Sequence, residues 1–197
     1  MSSEAVETRK RILDATIRIL EARGGRGVRM GDIAKAADIS RQAVYLHFAS
    51  RAELLVAATR YLDKALELDR RLAPSRAARS GNERLARYID FWGHYIPEIY
   101  GVAKALMLAQ DTDDAAATAW NERMQAMRAG CQAAIEALDG DGQLAGEWTV
   151  QSATDALWTL LLVPNWENLT RQCGWSTRQY VDRMTILARR NFIDQGK

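Results

Sequence analysis

Proline is scarce in this chain of 197 residues, with three copies, and histidine and cysteine are scarcer, with two each. Few prolines leave long stretches free to form uninterrupted helix. Cys131 and Cys173 lie far apart and outside any CxxC pair, so neither a metal knuckle nor a disulfide framework is expected. The histidines are His47 and His94, and no HExxH, GxSxG or paired-carboxylate pattern accompanies them. That argues against a metal centre, a cofactor or a catalytic site. The glycines of residues 24–27, GGRG, are not followed by Gly-Lys-Ser/Thr, so they form no phosphate loop. No apolar run reaches the ~18 residues of a membrane span. The opening MSSEAVETRKR lacks the apolar core of a signal peptide. A cytoplasmic protein with no membrane partner is expected.

What is present points to helix. The chain is 48% hydrophobic and 26% charged, the balance of a soluble globular protein rather than a disordered one. Its net charge of +2 is unevenly spread. Residues 1–60 hold eleven Lys/Arg against seven Asp/Glu, and residues 61–197 hold sixteen against eighteen. A basic N-terminal quarter suits contact with phosphate, and its modest size suggests two copies acting together.

The stretch 30–51, MGDIAKAADISRQAVYLHFASR, carries the strongest pattern. Ile33, Ala34 and Ala37 mark one apolar helical face, and residues 38–40 interrupt it. Asp38 tolerates a left-handed turn conformation better than most side chains. Ser40 is a good N-cap, because its hydroxyl accepts a free backbone N–H of the next helix. In that next helix Val44 and Phe48 share one side, while Gln42, Tyr45 and Leu46 point away. Helix, three-residue turn, helix is the helix-turn-helix pattern, whose second helix enters the DNA major groove. Arg41 and Gln42 suit base edges, and Leu46 suits a thymine methyl. Ser40, Tyr45, His47 and Arg51 suit phosphates. Each alone is an ordinary surface side chain; the turn makes them a set.

The run DIAKAADISRQAVYLHFASRAELL resembles the DNA-binding signature of the TetR family of transcriptional regulators. Tyr45, His47, Phe48, Arg51 and Leu54 carry the resemblance. Three positions depart from the usual pattern. Asp38 stands where Gly is usual, Arg29 stands where an N-cap Ser or Thr is common, and Gly31 leaves no side chain at a position that sometimes reaches DNA. The resemblance covers about a quarter of the chain. It implies binding to a palindromic double-stranded operator as a homodimer, and a C-terminal domain that holds a small-molecule effector.

The rest of the chain divides by composition. Residues 5–23 predict a helix with Ile12, Ala15, Thr16, Ile19 and Leu20 inward. Arg9, Lys10 and Arg11 precede that stripe, as DNA-backbone contacts or as a solvated basic end. Residues 50–53 form a capping box that opens a helix with Leu54, Ala58, Tyr61, Ala65, Leu68 and Leu72 on one face. Residues 73–81, APSRAARSG, predict a polar linker. Helices are then expected over 82–96, ended or kinked at Pro97, over 98–110, from 111 to about 138, over 147–173 with a break near Pro164, and over 176–192. Residues 139–146 predict a loop.

All six tryptophans lie at 92 or beyond, and Met107, Met124 and Met127 join them. Trp and Met suit an adaptable cavity or simply fill a core. With the resemblance, Trp92, Met107, Trp120, Met124 and Trp158 are the candidate ligand-binding residues. Glu98, Asp155 and Glu167 lie in apolar neighbourhoods, either facing a cationic ligand or facing solvent. Leu157, Leu160 and Leu161, with Val181, Met184 and Leu187, are the candidate dimer interface, a four-helix arrangement.

The fold expected is all-α. An N-terminal three-helix helix-turn-helix DNA-binding domain occupies 1–50, a connecting helix 51–72, and a C-terminal helical bundle for ligand binding and dimerisation 73–197. The function expected is a non-enzymatic, ligand-responsive regulator, a repressor released by a small hydrophobic or aromatic molecule. Two alternatives stay open: a regulator switched by a partner protein or by cysteine oxidation, and a small-molecule-binding protein or enzyme with a vestigial helix-turn-helix.

Overall fold

The computed structural model describes residues 3–194. The outermost residues of the expected domains 1–50 and 73–197 therefore lie outside the described residues. Regular structure is helical throughout that span. It runs α1 (Ser3–Ala22), α2 (Met30–Ala36), α3 (Arg41–His47), α4 (Arg51–Ala65), α5 (Leu68–Arg76), α6 (Gly81–Ala109), α7 (Asp114–Gly140), α8 (Val150–Leu161), α9 (Val163–Glu167) and α10 (Thr177–Phe192). A π-helical segment, Asn168–Gln172, follows α9. An isolated antiparallel bridge pairs Leu144 with Ile193. The all-α expectation holds. No helix among the described residues is long and apolar enough to cross a membrane.

The chain forms two compact units, and each is discontinuous in sequence. The first comprises Met1–Leu66 with Glu98–Glu122. Its core gathers Ile12, Leu20, Ile33, Val44, Phe48 and Leu54, all fully buried. The inward stripe of α1 is as expected at Ile12, Ala15, Thr16 and Leu20. Leu13 is buried in addition, while Ile19 is only half-buried. Buried Thr16 is satisfied within its own helix, its hydroxyl donating to the Ile12 carbonyl at 2.7 Å. The end of α1 meets α6 backbone to backbone. A Cβ on Gly101 would stand 2.6 Å from the Leu20 carbonyl carbon, and one on Gly25 would stand 2.6 Å from the Gly101 oxygen. Gly25 also has φ +77°, a left-handed conformation that glycine adopts without cost.

The second unit comprises Glu67–Pro97 with Arg123–Lys197. Leu85, Ile89, Tyr95, Ile96, Cys131, Ile135, Leu138, Leu157 and Tyr180 are fully buried in it. The Tyr88 hydroxyl donates to the Met127 carbonyl at 2.7 Å and ties α6 to α7. Arg128 of α7 pairs with Asp155 of α8 at 2.6 Å. Asn82 of α6 accepts from Arg189 of α10 at 2.9 Å.

Several boundaries differ from expectation. The helix expected over 51–72 is interrupted: α4 ends at Ala65, and Glu67 takes φ +51° before α5 begins. The linker expected over 73–81 is helical to Arg76, with Pro74 inside the helix. Arg87 donates to the Pro74 carbonyl at 3.3 Å, a contact from outside α5 that sequence periodicity does not contain. Pro97 likewise sits inside one continuous helix rather than between two. It removes the bond to the Gly93 carbonyl, worth ~3 kcal/mol or more with its steric clash. Burial on both flanks, Tyr95 and Ile96 before it and Ile99, Tyr100 and Val102 after it, outweighs that cost. The helix begun at Asp114 runs to Gly140 and takes in part of the expected loop. The segment 147–173 breaks at Leu162, beside Pro164 as expected, but its helix begins only at Val150 and its last turn, Asn168–Gln172, is π-helical.

Cys131 is buried, and burial pushes its thiol up to about 12. Cys173 is exposed. A thiol reacts as its thiolate. Ellman's reagent at pH 8 is therefore expected to titrate one thiol in the native protein and two in denaturant. Two fast native thiols would show that Cys131 is not enclosed as described.

Candidate nucleic-acid interface

The helix-turn-helix lies within the first unit. Ala37 closes α2 with its N–H on the Ile33 carbonyl at 2.9 Å. Asp38 follows with φ +53°, the left-handed conformation its residue type suggests. The Ile39 N–H then reaches the Ala34 carbonyl at 3.1 Å. Ser40 is extended, and its hydroxyl accepts the Ala43 N–H at 3.1 Å, the expected cap. Val44 and Phe48 are fully buried beneath α3. The opposite side is open. Arg41 and Gln42 are exposed, Tyr45 is 41% and Leu46 83% exposed, and His47 is half-buried. An aliphatic side chain that open on a short helix contributes nothing to the core of its own unit.

Three basic residues named as candidate DNA-backbone contacts are engaged by the protein itself. The Arg11 guanidinium donates to the Ala37 carbonyl at 2.6 Å and the Asp38 carbonyl at 3.2 Å, clamping the turn. Arg9 stacks over the Phe48 ring at 4.4 Å. Lys10 pairs with Asp14 at 3.4 Å, and Asp14 also accepts from the Tyr61 hydroxyl at 2.8 Å. Arg51 donates through Nε to the Val28 carbonyl at 3.1 Å, which fixes where its guanidinium stands at the start of α4. The long-range roles of Arg9, Arg11 and Arg51 have no signature in residue spacing, whereas Lys10 and Asp14 are an ordinary pair four residues apart.

The caps differ in detail. Ser50 accepts the Glu53 N–H at 3.0 Å, but Glu53 reaches back to the Ala49 N–H at 2.7 Å rather than to Ser50. Arg29 supplies no side-chain cap to α2. Asp32 takes the Arg29 N–H at 3.3 Å and the Arg23 guanidinium at 2.8 Å. The Arg23 hydrogen bond, then the Arg29 N–H, holds its carboxyl below the usual range. A Cβ at Gly31 would meet nothing within 4 Å, so that position is open. On α3, Arg41 and Tyr45 touch, Nη2 to hydroxyl at 3.4 Å, with the guanidinium 5.6 Å from the ring centre. The residue assigned to bases and the one assigned to phosphates thus support each other across one helical turn.

Residues 12–58, the segment that forms this geometry, match the family described as bacterial regulatory proteins, tetR family. Over that stretch, about a quarter of its length, the chain is similar to the TetR family. The HTH-type transcriptional regulator SrpR of Pseudomonas putida is 40% identical over 68 residues, which are 34% of this chain and 32% of that protein. TtgW, an HTH-type regulator of the same species, is also 40% identical over 68 residues, 34% of this chain and 51% of that protein. These matches span a third to a half of the relatives' length. A proposed transcriptional regulator of Saccharomonospora viridis, solved in complex with choline, shares the fold over 96% of this chain and the whole of that one. Its TM-score is 0.82 at 21% identity. These relatives are named as regulators, not enzymes.

The candidate ligand residues divide between the units. Met107 and Trp120 belong to the first, and Trp92, Met124 and Trp158 to the second. Trp120 is buried and the other four are half-buried. Asp155, weighed for a cationic ligand, is occupied by Arg128 and Gln151, and its carboxyl is held low by that guanidinium first. Glu98 is exposed and Glu167 half-buried. Of the candidate dimer residues, Leu157, Leu161, Val181 and Met184 are buried within the protomer's own bundle. Leu160 is half-buried and Leu187 is 41% exposed, with Ile186 beside it at 40%. A surface cleft of about 280 Å³ in the second unit is lined by Arg71, Pro74, Arg87, Asp90, Phe91 and His94. In this cleft Arg87 pairs with Glu83, and His94 Nδ1 lies 3.3 Å from the Asp90 carboxylate.

The left-handed residue gives the turn a direct test. Asp38→Gly keeps the φ of +53° and leaves the carbonyls that Arg11 grips. It is expected to be neutral or to stabilise by up to about 1 kcal/mol. Asp38→Val is expected to cost about 1–2 kcal/mol or more, because a branched Cβ clashes there. Thermal melts by circular dichroism separate the two; equal shifts would mean that the turn does not depend on this conformation.

Proposed function

We propose that the protein is a DNA-binding transcriptional regulator, a repressor that leaves its operator when a small hydrophobic or aromatic molecule binds. The observation that carries this reading is α3. It is a capped seven-residue helix, anchored by Val44 and Phe48, with Arg41, Gln42, Tyr45 and Leu46 turned outward. We assign 1–50 as the DNA-binding domain, 51–72 as the connecting segment and 73–197 as the effector and dimerisation domain, in the cytoplasm. Gln42, Arg41 and Leu46 read bases. Ser40, Tyr45, His47 and Arg51 set the register on phosphates. Of the candidate effector residues, Trp92, Met124 and Trp158 of the second unit contribute to the effector site. The S. viridis protein, solved with choline, supports an effector reading in kind but not in identity.

The DNA reading is tested on DNA from upstream of the protein's own gene and on a scrambled sequence, at several salt concentrations. Gln42→Ala is expected to cost roughly 1–3 kcal/mol on the first and almost nothing on the second. Arg51→Ala is expected to weaken both and to lower the salt slope by about 1, with its melting temperature measured alongside because it also holds Val28. Tyr45→Phe is expected to weaken both without changing the slope. Equal losses on both DNAs for Gln42→Ala would remove it from the reading face.

One recognition helix reads too few base pairs for tight specificity, so a two-fold dimer follows, with half-sites about one helical turn apart. The proposed interface is the outer face of α8 and α10, where Leu160, Ile186 and Leu187 are accessible. The buried Leu157, Leu161, Val181 and Met184 support that face from within. Sedimentation equilibrium is expected to give twice the chain mass at micromolar concentration. A monomer there, or a dimer that survives Leu187→Glu with Ile186→Glu, would reject this interface.

A further inference from the structure

The second unit buries polar groups that its own chain leaves unanswered. The Tyr180 hydroxyl and the Thr154 hydroxyl have no hydrogen-bond partner, although the two residues are 0% and 1% exposed. The indole N–H of Trp158 is buried and likewise without a partner, whereas that of Trp92 faces the Tyr88 oxygen. An unanswered buried donor costs about 1–3 kcal/mol, so several in one small bundle call for a reason.

Helix register brings the four together. Tyr180 packs on α6 at Gly93, where an added Cβ would stand 3.3 Å from its ring, next to Trp92. The same two helices meet at Asn82 and Arg189, so they run antiparallel. Tyr88 of α6 bonds to Met127 of α7, and Arg128, one residue on, pairs with Asp155 of α8. Thr154 precedes Asp155, and Trp158 lies one turn beyond it on the face that Thr154 occupies. Trp92, Thr154, Trp158 and Tyr180 therefore stand within about two turns of one level in the bundle. Trp92 and Trp158 are half-buried with their N–H ends inside. Nothing at this level supplies a buried carboxylate: Asp155 is exposed and paired with Arg128.

We propose that this cluster is the polar end of the effector site and selects a neutral aromatic or alicyclic molecule bearing a carbonyl or ether oxygen. The proposal rests on the effector reading above and narrows it. The Trp158 indole N–H only donates, and the two hydroxyls donate as readily as they accept. An acceptor oxygen answers them; a hydrocarbon leaves them unanswered, and a cation offers no acceptor. Burial also raises the Tyr180 phenol, which keeps its proton in place as a donor.

Three probes of matched shape test it by isothermal titration calorimetry with the full-length protein. They are 2-acetylnaphthalene, 2-isopropylnaphthalene and trimethyl(2-naphthyl)ammonium. The ketone is expected to bind about 10-fold tighter than the hydrocarbon, and the cation weakest. Tyr180→Phe and Thr154→Val each remove one hydroxyl and keep the shape. Each is expected to bring ketone and hydrocarbon affinities within about threefold and to leave the melting temperature of the unliganded protein unchanged or higher. A lower melting temperature with the ketone preference intact would show that the hydroxyls are structural, and would overturn the proposal. Equal or better binding of the hydrocarbon or the cation would overturn the ligand class and leave the effector reading standing. No binding of any probe would count against both.

Discussion

The orientation of α3 rests on a single residue in the left-handed region and on the guanidinium that holds the carbonyls beside it. With Asp38 at φ +53°, the chain turns within the four residues 37–40 between α2 and α3. Two backbone carbonyls are exposed by so tight a turn, and Arg11 from α1 takes both. Phe48 then closes the far end of α3 under the Arg9 guanidinium. The outward direction of Gln42 and Leu46 follows from these contacts. The basic end of α1 is thereby drawn into the architecture of the head rather than left to its solvent face.

The two units differ in how completely they answer their own polar groups. In the first, buried Thr16 and Thr59 each donate to a carbonyl four residues back, and Tyr61 is paired with Asp14. In the second, two hydroxyls and an indole on α8 and α10 are enclosed with no partner. A scaffold that must present one surface can afford complete pairing. An interior left with unanswered donors is less stable than it could be.

Local rules made the head legible in the sequence. The turn at Asp38, the cap at Ser40 and the inward pair Val44 and Phe48 are set by residues within a few positions of one another. The roles of Arg9, Arg11 and Arg51 were not legible, because each partner lies more than 20 residues away. Pro74 and Pro97 signalled helix ends by local chemistry, and packing overruled both. The apolar stripes on α8 and α10 suggest a dimer interface, whereas Leu157, Leu161, Val181 and Met184 are buried within the protomer. A stripe alone does not say whether a residue is covered by its own bundle or by a second copy. The family resemblance supplied the assembly and effector expectations, which periodicity could not.

The backbone crossing at Gly25 and Gly101 bears on the order in which the protein can be made. The head's compact unit is complete only with Glu98–Glu122, and between that stretch and Leu66 the ribosome must first deliver a piece of the other unit. The N-terminal four helices therefore emerge well before the helix that covers the end of α1. The other unit waits in turn, because its first segment is delivered long before Arg123–Lys197. Synthesis interleaves the two, and a chain truncated after α4 lacks part of the head it was meant to isolate.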